Sequence, residues 1–117
     1  MWFSANAVKV YLVLGHTDMR KSVNGLSILI AEQMGLDPLS GHLFVFCNRR
    51  RNILKILYWD RNGFCLWYKR LEKDLYRWPQ ETCVVMEMGS QELGWLLSGL
   101  DVNQALAHPV AEYEQVY

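Results

Sequence analysis

Arg49-Arg-Arg51 is the densest run of one chemistry in this chain: three adjacent guanidiniums, each able to pair a phosphate or to fork onto a guanine edge. Arg20 and Lys21 form a second cationic pair shortly after Gly15-His-Thr-Asp18. Read as the first turn of a helix, that position sets two cations where the macrodipole and the free backbone N–H groups favour anions. A bound phosphate or carboxylate would complete such a site, whereas pairing with Asp18 is the simpler account. Lys55, Lys69 and Arg70 lie on runs that alternate as strands do, with Trp59 and Trp67 among them. If Lys55, Trp59, Trp67 and Lys69 share one sheet face, that face is basic and aromatic and suits nucleic acid. The competing account makes the tryptophans core and lets the lysines snorkel past them.

Charge along the chain sharpens this picture. The 117 residues carry 12 Lys+Arg and 12 Asp+Glu, a formal net charge of zero, which excludes a uniformly basic nucleic-acid coat. Residues 49–77 nevertheless hold nine cations against three acids, while residues 78–117 hold six acids and no Lys or Arg. A basic face for DNA or for an acidic partner follows, with an acidic tail able to mask it; neutralisation of one half by the other inside the fold is the alternative.

Enzyme signatures are missing. The chain has no G-x-x-x-x-G-K-[ST], no G-x-S-x-G and no H-E-x-x-H. His16, Thr17 and Asp18 are neighbours in sequence, but a catalytic triad is assembled by geometry and not by adjacency. Asp60 has no acidic companion at a spacing that argues for Mg²⁺. Cys47, Cys65 and Cys83 are an odd set without a close pair, so they read as reduced, buried small hydrophobes in a cytosolic protein, not as a disulfide or zinc framework. No catalytic residue, metal or cofactor is expected.

The elements that must position these residues follow from pattern. Val8 to Leu14 reads as a strand ending at Gly15. A long helix should start at a Thr17 or Asp18 cap, bury Val23, Leu26, Ile30 and Met34, and stop at Gly35. His42 to Cys47, Ile53 to Trp59 and Phe64 to Leu71 then form an antiparallel meander, with the arginines on the first connection and Asn62-Gly63 marking the second. Thr82 to Met88 adds a strand, and a short helix opens at Ser90 with Leu93, Leu96, Leu97 and Leu100 as its apolar face and Gly99 at its end. The expectation is an α+β domain, an antiparallel β-meander sheet packed with one long N-terminal helix and one short C-terminal helix. Residues 1–7 are an N-terminal extension, 8–101 the single domain, and 102–117 an acidic tail, either flexible or docked on a partner. No apolar run approaches the ~20 residues of a membrane span.

Gly15-His-Thr-Asp-Met-Arg-Lys21, Asn24-Gly-Leu26, Asp37-Pro-Leu-Ser-Gly-His-Leu-Phe-Val-Phe46, Lys55-Ile-Leu-Tyr-Trp-Asp60, Gly63-Phe-Cys-Leu-Trp-Tyr-Lys-Arg-Leu-Glu72 and Trp78-Pro79 occur in that order. Together they closely resemble the TnpB accessory proteins of insertion sequence 66 transposons, over roughly residues 8–101. These are distinct from the much longer RNA-guided nucleases that share the name. The matching motif positions are Thr17, Asp18, Met19, Arg20 and Lys21, then Gly41, Phe44 and Phe46, then Lys55, Trp59, Tyr68, Lys69 and Arg70; the Asn48 to Ile53 loop is unusually rich in arginine. The resemblance implies a small protein encoded beside a large transposase and a second small accessory protein and needed for efficient transposition, and carries over no catalytic residue; the leading expectation is a non-enzymatic accessory protein. On this reading Arg20, Lys21, Arg49, Arg50, Arg51, Lys55, Lys69 and Arg70 contact DNA at the element's ends. The alternative is an adaptor docking on the transposase through Trp59, Trp67 and Trp78. Either way the expected location is the bacterial cytoplasm, at the nucleoid when DNA is bound.

Overall fold

A computed structural model describes residues 8–99. Residues 1–7, Leu100 and the 102–117 tail, about which the sequence raised expectations, lie outside the described residues. Seven elements follow one another: β1 (Val10–Val13), α1 (Val23–Gln33), β2 (Leu43–Cys47), β3 (Ile53–Asp60), β4 (Gly63–Arg70), β5 (Val85–Met88) and α2 (Ser90–Leu97). The strands form one sheet in the order β4-β3-β2-β1-β5.

The α+β class holds, and β2-β3-β4 is the expected meander. The sheet as a whole is mixed, however. β1 runs parallel to β2, with Val10 opposite Leu43, and antiparallel to β5, with Val10 opposite Met88. The cause lies in the connection from Val13 to Leu43, which contains α1 and is long enough for the crossover that a parallel pair requires. β1 is therefore an interior strand.

α1 is also shorter than its pattern suggests, 11 residues beginning after Ser22. The carboxylate of Asp18 does not cap it; instead Asp18 Oδ1 accepts the N–H of Arg20 at 2.9 Å, and the Lys21 N–H closes a turn on the Asp18 carbonyl at 3.1 Å. Helical bonding begins where Leu26 donates to the Ser22 carbonyl. The other end behaves as expected: Gly35 takes φ +65° just past the C-cap, and Leu36 N–H returns to the Ile30 carbonyl.

Both faces of the sheet are covered. On one, Leu26 and Ile30 of α1 pack on Val13, Phe44, Phe46 and Leu57. On the other, Leu93 and Leu96 of α2 join Val10, Leu12, Val45, Leu54 and Ile56. Burying each such side chain contributes about 1.5–3 kcal/mol. The second face has a further cover absent from the pattern reading. The strap leaving β4 passes back under the arginine turn, its Tyr76 N–H donating to the Arg51 carbonyl at 2.7 Å, and delivers Tyr76 and Trp78 into that core. Burial pushes the Tyr76 phenol up to about 12.

Cysteine burial is graded where uniform burial was expected. Cys47 is buried, and desolvation pushes its thiol up to about 11; Cys65 is half-buried and Cys83 exposed, on the irregular stretch just before β5. β5 starts at Val85, not Thr82, although Leu14 N–H still reaches the Val84 carbonyl at 3.0 Å. No helix among the described residues is long and apolar enough to cross a membrane.

Candidate nucleic-acid interface

Two turns meet at one end of the sheet. The first covers residues 16–21. Its Thr17 is buried and donates its N–H to the Cys47 carbonyl at 2.8 Å, which ties the turn to the end of β2. Lys55 secures it from β3, because its Nζ donates to the Met19 carbonyl at 2.8 Å and to the Lys21 carbonyl at 3.0 Å.

The second turn, 48–52, is built by asparagines. Asn48 Oδ1 accepts the N–H groups of Asn52 and Ile53, both at 3.0 Å, while its Nδ2 donates to Asn52 Oδ1 at 2.7 Å. Arg51 closes the turn in the left-handed region at φ +64°, a conformation costing roughly 1–2 kcal/mol for a residue with a Cβ. Its Nη1 donates to the Trp78 carbonyl at 3.0 Å, and that bond helps to offset the cost.

Between the turns lies an open cleft of about 410 Å³, walled by His16, Asp18, Arg20, Arg49, Arg50 and Ile53. Cations far apart in sequence are thus gathered into one place. Arg20 is 91% exposed in its side chain and is clamped by Asp18, with Nη2 to Oδ2 at 2.7 Å and Nε to both oxygens at 3.1 Å. The Arg20 guanidinium, aided by the Arg20 backbone N–H, holds the Asp18 carboxyl well below the usual carboxylate range. Arg49 Nη2 lies 3.2 Å from His16 Nε2. A guanidinium only donates, so in this contact the imidazole nitrogen is the acceptor. Arg50 and Lys21 are exposed, and their side chains make no hydrogen bond or ion pair among the described residues. Asp18 is thus the one acid in the lining of the cleft, beside the three arginines Arg20, Arg49 and Arg50, while the Glu81 carboxylate lies next to Gly15 on the adjoining side of the first turn. No cluster of three His, Cys, Asp or Glu able to hold a metal occurs among the described residues.

The residues expected to bind DNA fall into three groups. Arg20, Arg49 and Arg50 line the cleft, with Lys21 on the same turn. Arg51 and Lys55 are engaged by backbone carbonyls, holding the strap and the first turn. Arg20 and Lys21 precede α1 instead of sitting in its first turn, which removes the conflict with the helix dipole. Lys69 and Arg70 sit at the end of β4, where Arg70 pairs with Glu72 at 2.8 Å.

The expected basic and aromatic sheet face does not form. The hairpin loop is Arg61-Asn62, one residue earlier than the Asn62-Gly63 signal indicated, with Asp60 opposite Gly63. A two-residue loop sets odd-numbered residues of β3 opposite even-numbered residues of β4, so Lys55 and Trp59 share their face with Tyr68 and Phe64. Trp67 and Lys69 point to the opposite face, with Ile56 and Leu54. Trp59 packs edge-on against Phe64 at 5.1 Å, and Trp78 is only 6% exposed, a core residue in this fold and not a surface anchor. Tyr68, the cross-strand neighbour of Lys55, is half-exposed on the α1 side, a placement that becomes visible only once the hairpin register is known.

Comparison with known proteins agrees with the resemblance in the sequence. The family described as IS66 Orf2 like protein matches residues 8–107. The uncharacterized protein y4hO of Sinorhizobium fredii is 38% identical over 98 residues, covering 84% of this chain and 85% of its own length. The uncharacterized protein y4jC of the same organism is 29% identical over 106 residues, covering 91% of each. No solved structure matches.

Proposed function

Because the chain belongs to the IS66 Orf2-like family and is a transposition-associated accessory protein, we propose that it binds DNA at or near the ends of its element, without catalysis of its own, and assists the transposase. One observation carries this reading: Arg20, Arg49 and Arg50, brought from two separate turns, share a single open cleft whose lining holds one acid, Asp18, with Lys21 on the same turn. Guanidiniums held in this way suit phosphate oxygens, and phosphate contacts dominate affinity for duplex DNA. The pinning of both turns by Thr17, Asn48 and Lys55 reduces the ordering that binding must pay for.

The partners on this reading are the DNA ends, the cognate transposase and the second accessory protein, in the bacterial cytoplasm and at the nucleoid. The test is a titration of labelled duplexes carrying the terminal repeats, or a scrambled sequence, at two salt concentrations. Binding should weaken with salt by a log–log slope of about 0.9 per phosphate contact, and preference for the repeats marks end recognition. Absence of binding at low salt defeats the DNA reading and favours an adaptor on the transposase. In that case a pull-down surviving nuclease treatment is expected, with the half-buried Trp59 and Trp67 as candidate anchors.

A further inference from the structure

Tyr68 is the one exposed residue among the described Phe, Tyr and Trp, 51% accessible, whereas every other is buried or half-buried. Its position is specific. It stands opposite Lys55, whose ammonium is spent on the Met19 and Lys21 carbonyls of the cationic turn. Two residues on and on the same face, Arg70 stands opposite Ile53, which walls the cleft beside Arg49 and Arg50. The sheet surface carrying Tyr68 is therefore continuous with the arginine cleft, separated from the Arg20 turn by the single side chain of Lys55.

We propose that this surface takes single-stranded DNA, the cleft holding the backbone phosphates and the ring of Tyr68 stacking on an unpaired base. The inference rests on the DNA-binding reading above and narrows it to one class of nucleic acid. A duplex hides the faces of its bases, so an exposed ring beside a phosphate cleft gains little from it; an unpaired base offers its whole face. Cationic grooves combined with aromatic side chains are the general solution for single strands, and base–aromatic stacking tolerates any sequence. Trp59 and Trp67 do not supply the platform, since the hairpin register sets them on opposite faces and each is half-buried.

The test uses the full chain and two probes, a fluorescein-labelled 20-nucleotide thymidine strand and a 20-base-pair duplex, read by anisotropy at low salt. Tyr68→Ala should weaken single-strand binding about 5- to 150-fold, while Tyr68→Phe stays within about twofold of the parent and duplex binding moves less than about threefold. Equal weakening of both probes by Tyr68→Ala, or no change in either, overturns the proposal. A parent protein that binds the duplex but not the single strand also overturns it, leaving the DNA reading intact. A parent that binds neither removes the DNA reading itself. Circular dichroism of both variants separates lost binding from lost folding, and the exposure of the ring predicts a native spectrum for each.

Discussion

The Asn48–Asn52 turn and the strap from Arg70 to Trp78 carry three Lys or Arg each and hold them differently. In the turn, Arg51 donates to the Trp78 carbonyl, while Arg49 and Arg50 line the cleft with no ion pair to an acid. In the strap, Arg70 is paired with Glu72, Arg77 donates to the Gly99 carbonyl at 3.2 Å, and Asp74 follows Lys73 directly. The same number of cations thus yields an open arginine-lined cleft in one place and, in the other, a cover whose arginines are engaged by Glu72 and the Gly99 carbonyl. Counting charge along residues 49–77 merges two regions whose electrostatics are opposite in use.

That contrast can be broken by substitution. Arg49→Ala with Arg50→Ala should cost DNA affinity about 10-fold or more and flatten the salt slope by about 1.8, the value for two phosphate contacts. Arg70→Ala, Lys73→Ala and Arg77→Ala together should leave both within about twofold; equal losses from the two sets would erase the distinction. Next in size is Lys55→Met, expected to lower stability in urea melts by about 1–2 kcal/mol through loss of the bonds to Met19 and Lys21. Lys69→Met, at an exposed position, should stay within about 0.5 kcal/mol.

Asp18→Asn probes the one acid in the cleft. Freeing Arg20 should raise DNA affinity severalfold and steepen the salt slope by about 0.9. A carboxyl whose folded pKa is depressed stabilises the fold above its unfolded pKa and loses that contribution only as pH falls through the lower folded value. The ratio of variant to parent affinity should therefore be flat from pH 5 to pH 8, as titrations across that range would show. Arg51→Gly sets two opposed effects against each other. Relief of the left-handed backbone, about 1–2 kcal/mol, and loss of the bond to Trp78, of similar size, should cancel to within about 1 kcal/mol. The DNA salt slope should not change, because Arg51 is engaged by the Trp78 carbonyl and does not line the cleft.

These outcomes also mark where pattern reading reaches its end. β2, β3 and β4 were legible nearly to the residue, since β-prone runs bounded by Asn, Gly and Arg leave little choice, and Gly35 and Gly99 announced both helix ends. The parallel pairing of β1 was not legible, because alternation states which side chains share a face and is silent on which strand lies alongside. The start of α1 was misplaced because Asp18 can cap a helix or clasp Arg20 two residues away, and proximity decides for the latter. For the site, the two cation clusters were visible as composition, but their meeting in one cleft depends on Thr17 reaching Cys47. The aromatic face failed on parity: a two-residue loop, at Arg61-Asn62 or at Asn62-Gly63 alike, sets odd-numbered β3 residues opposite even-numbered β4 residues and so sends Trp67 and Lys69 to the other side, while the loop at Arg61-Asn62 brings Tyr68 beside Lys55.

The interior position of β1 bears on how the protein is made. The meander closes through short loops, while β1 gains its second neighbour only when Val85–Met88 has been synthesised. Closing the longer loops costs more entropy, so on the ribosome the three meander strands assemble first and the earliest strand waits for nearly the last. A chain interrupted before Val85 would expose the β1 edge, Val10 to Val13, as a row of unpaired backbone groups ready to pair with another copy. Chains that end before Val85 are therefore expected to associate more readily than those that carry β5.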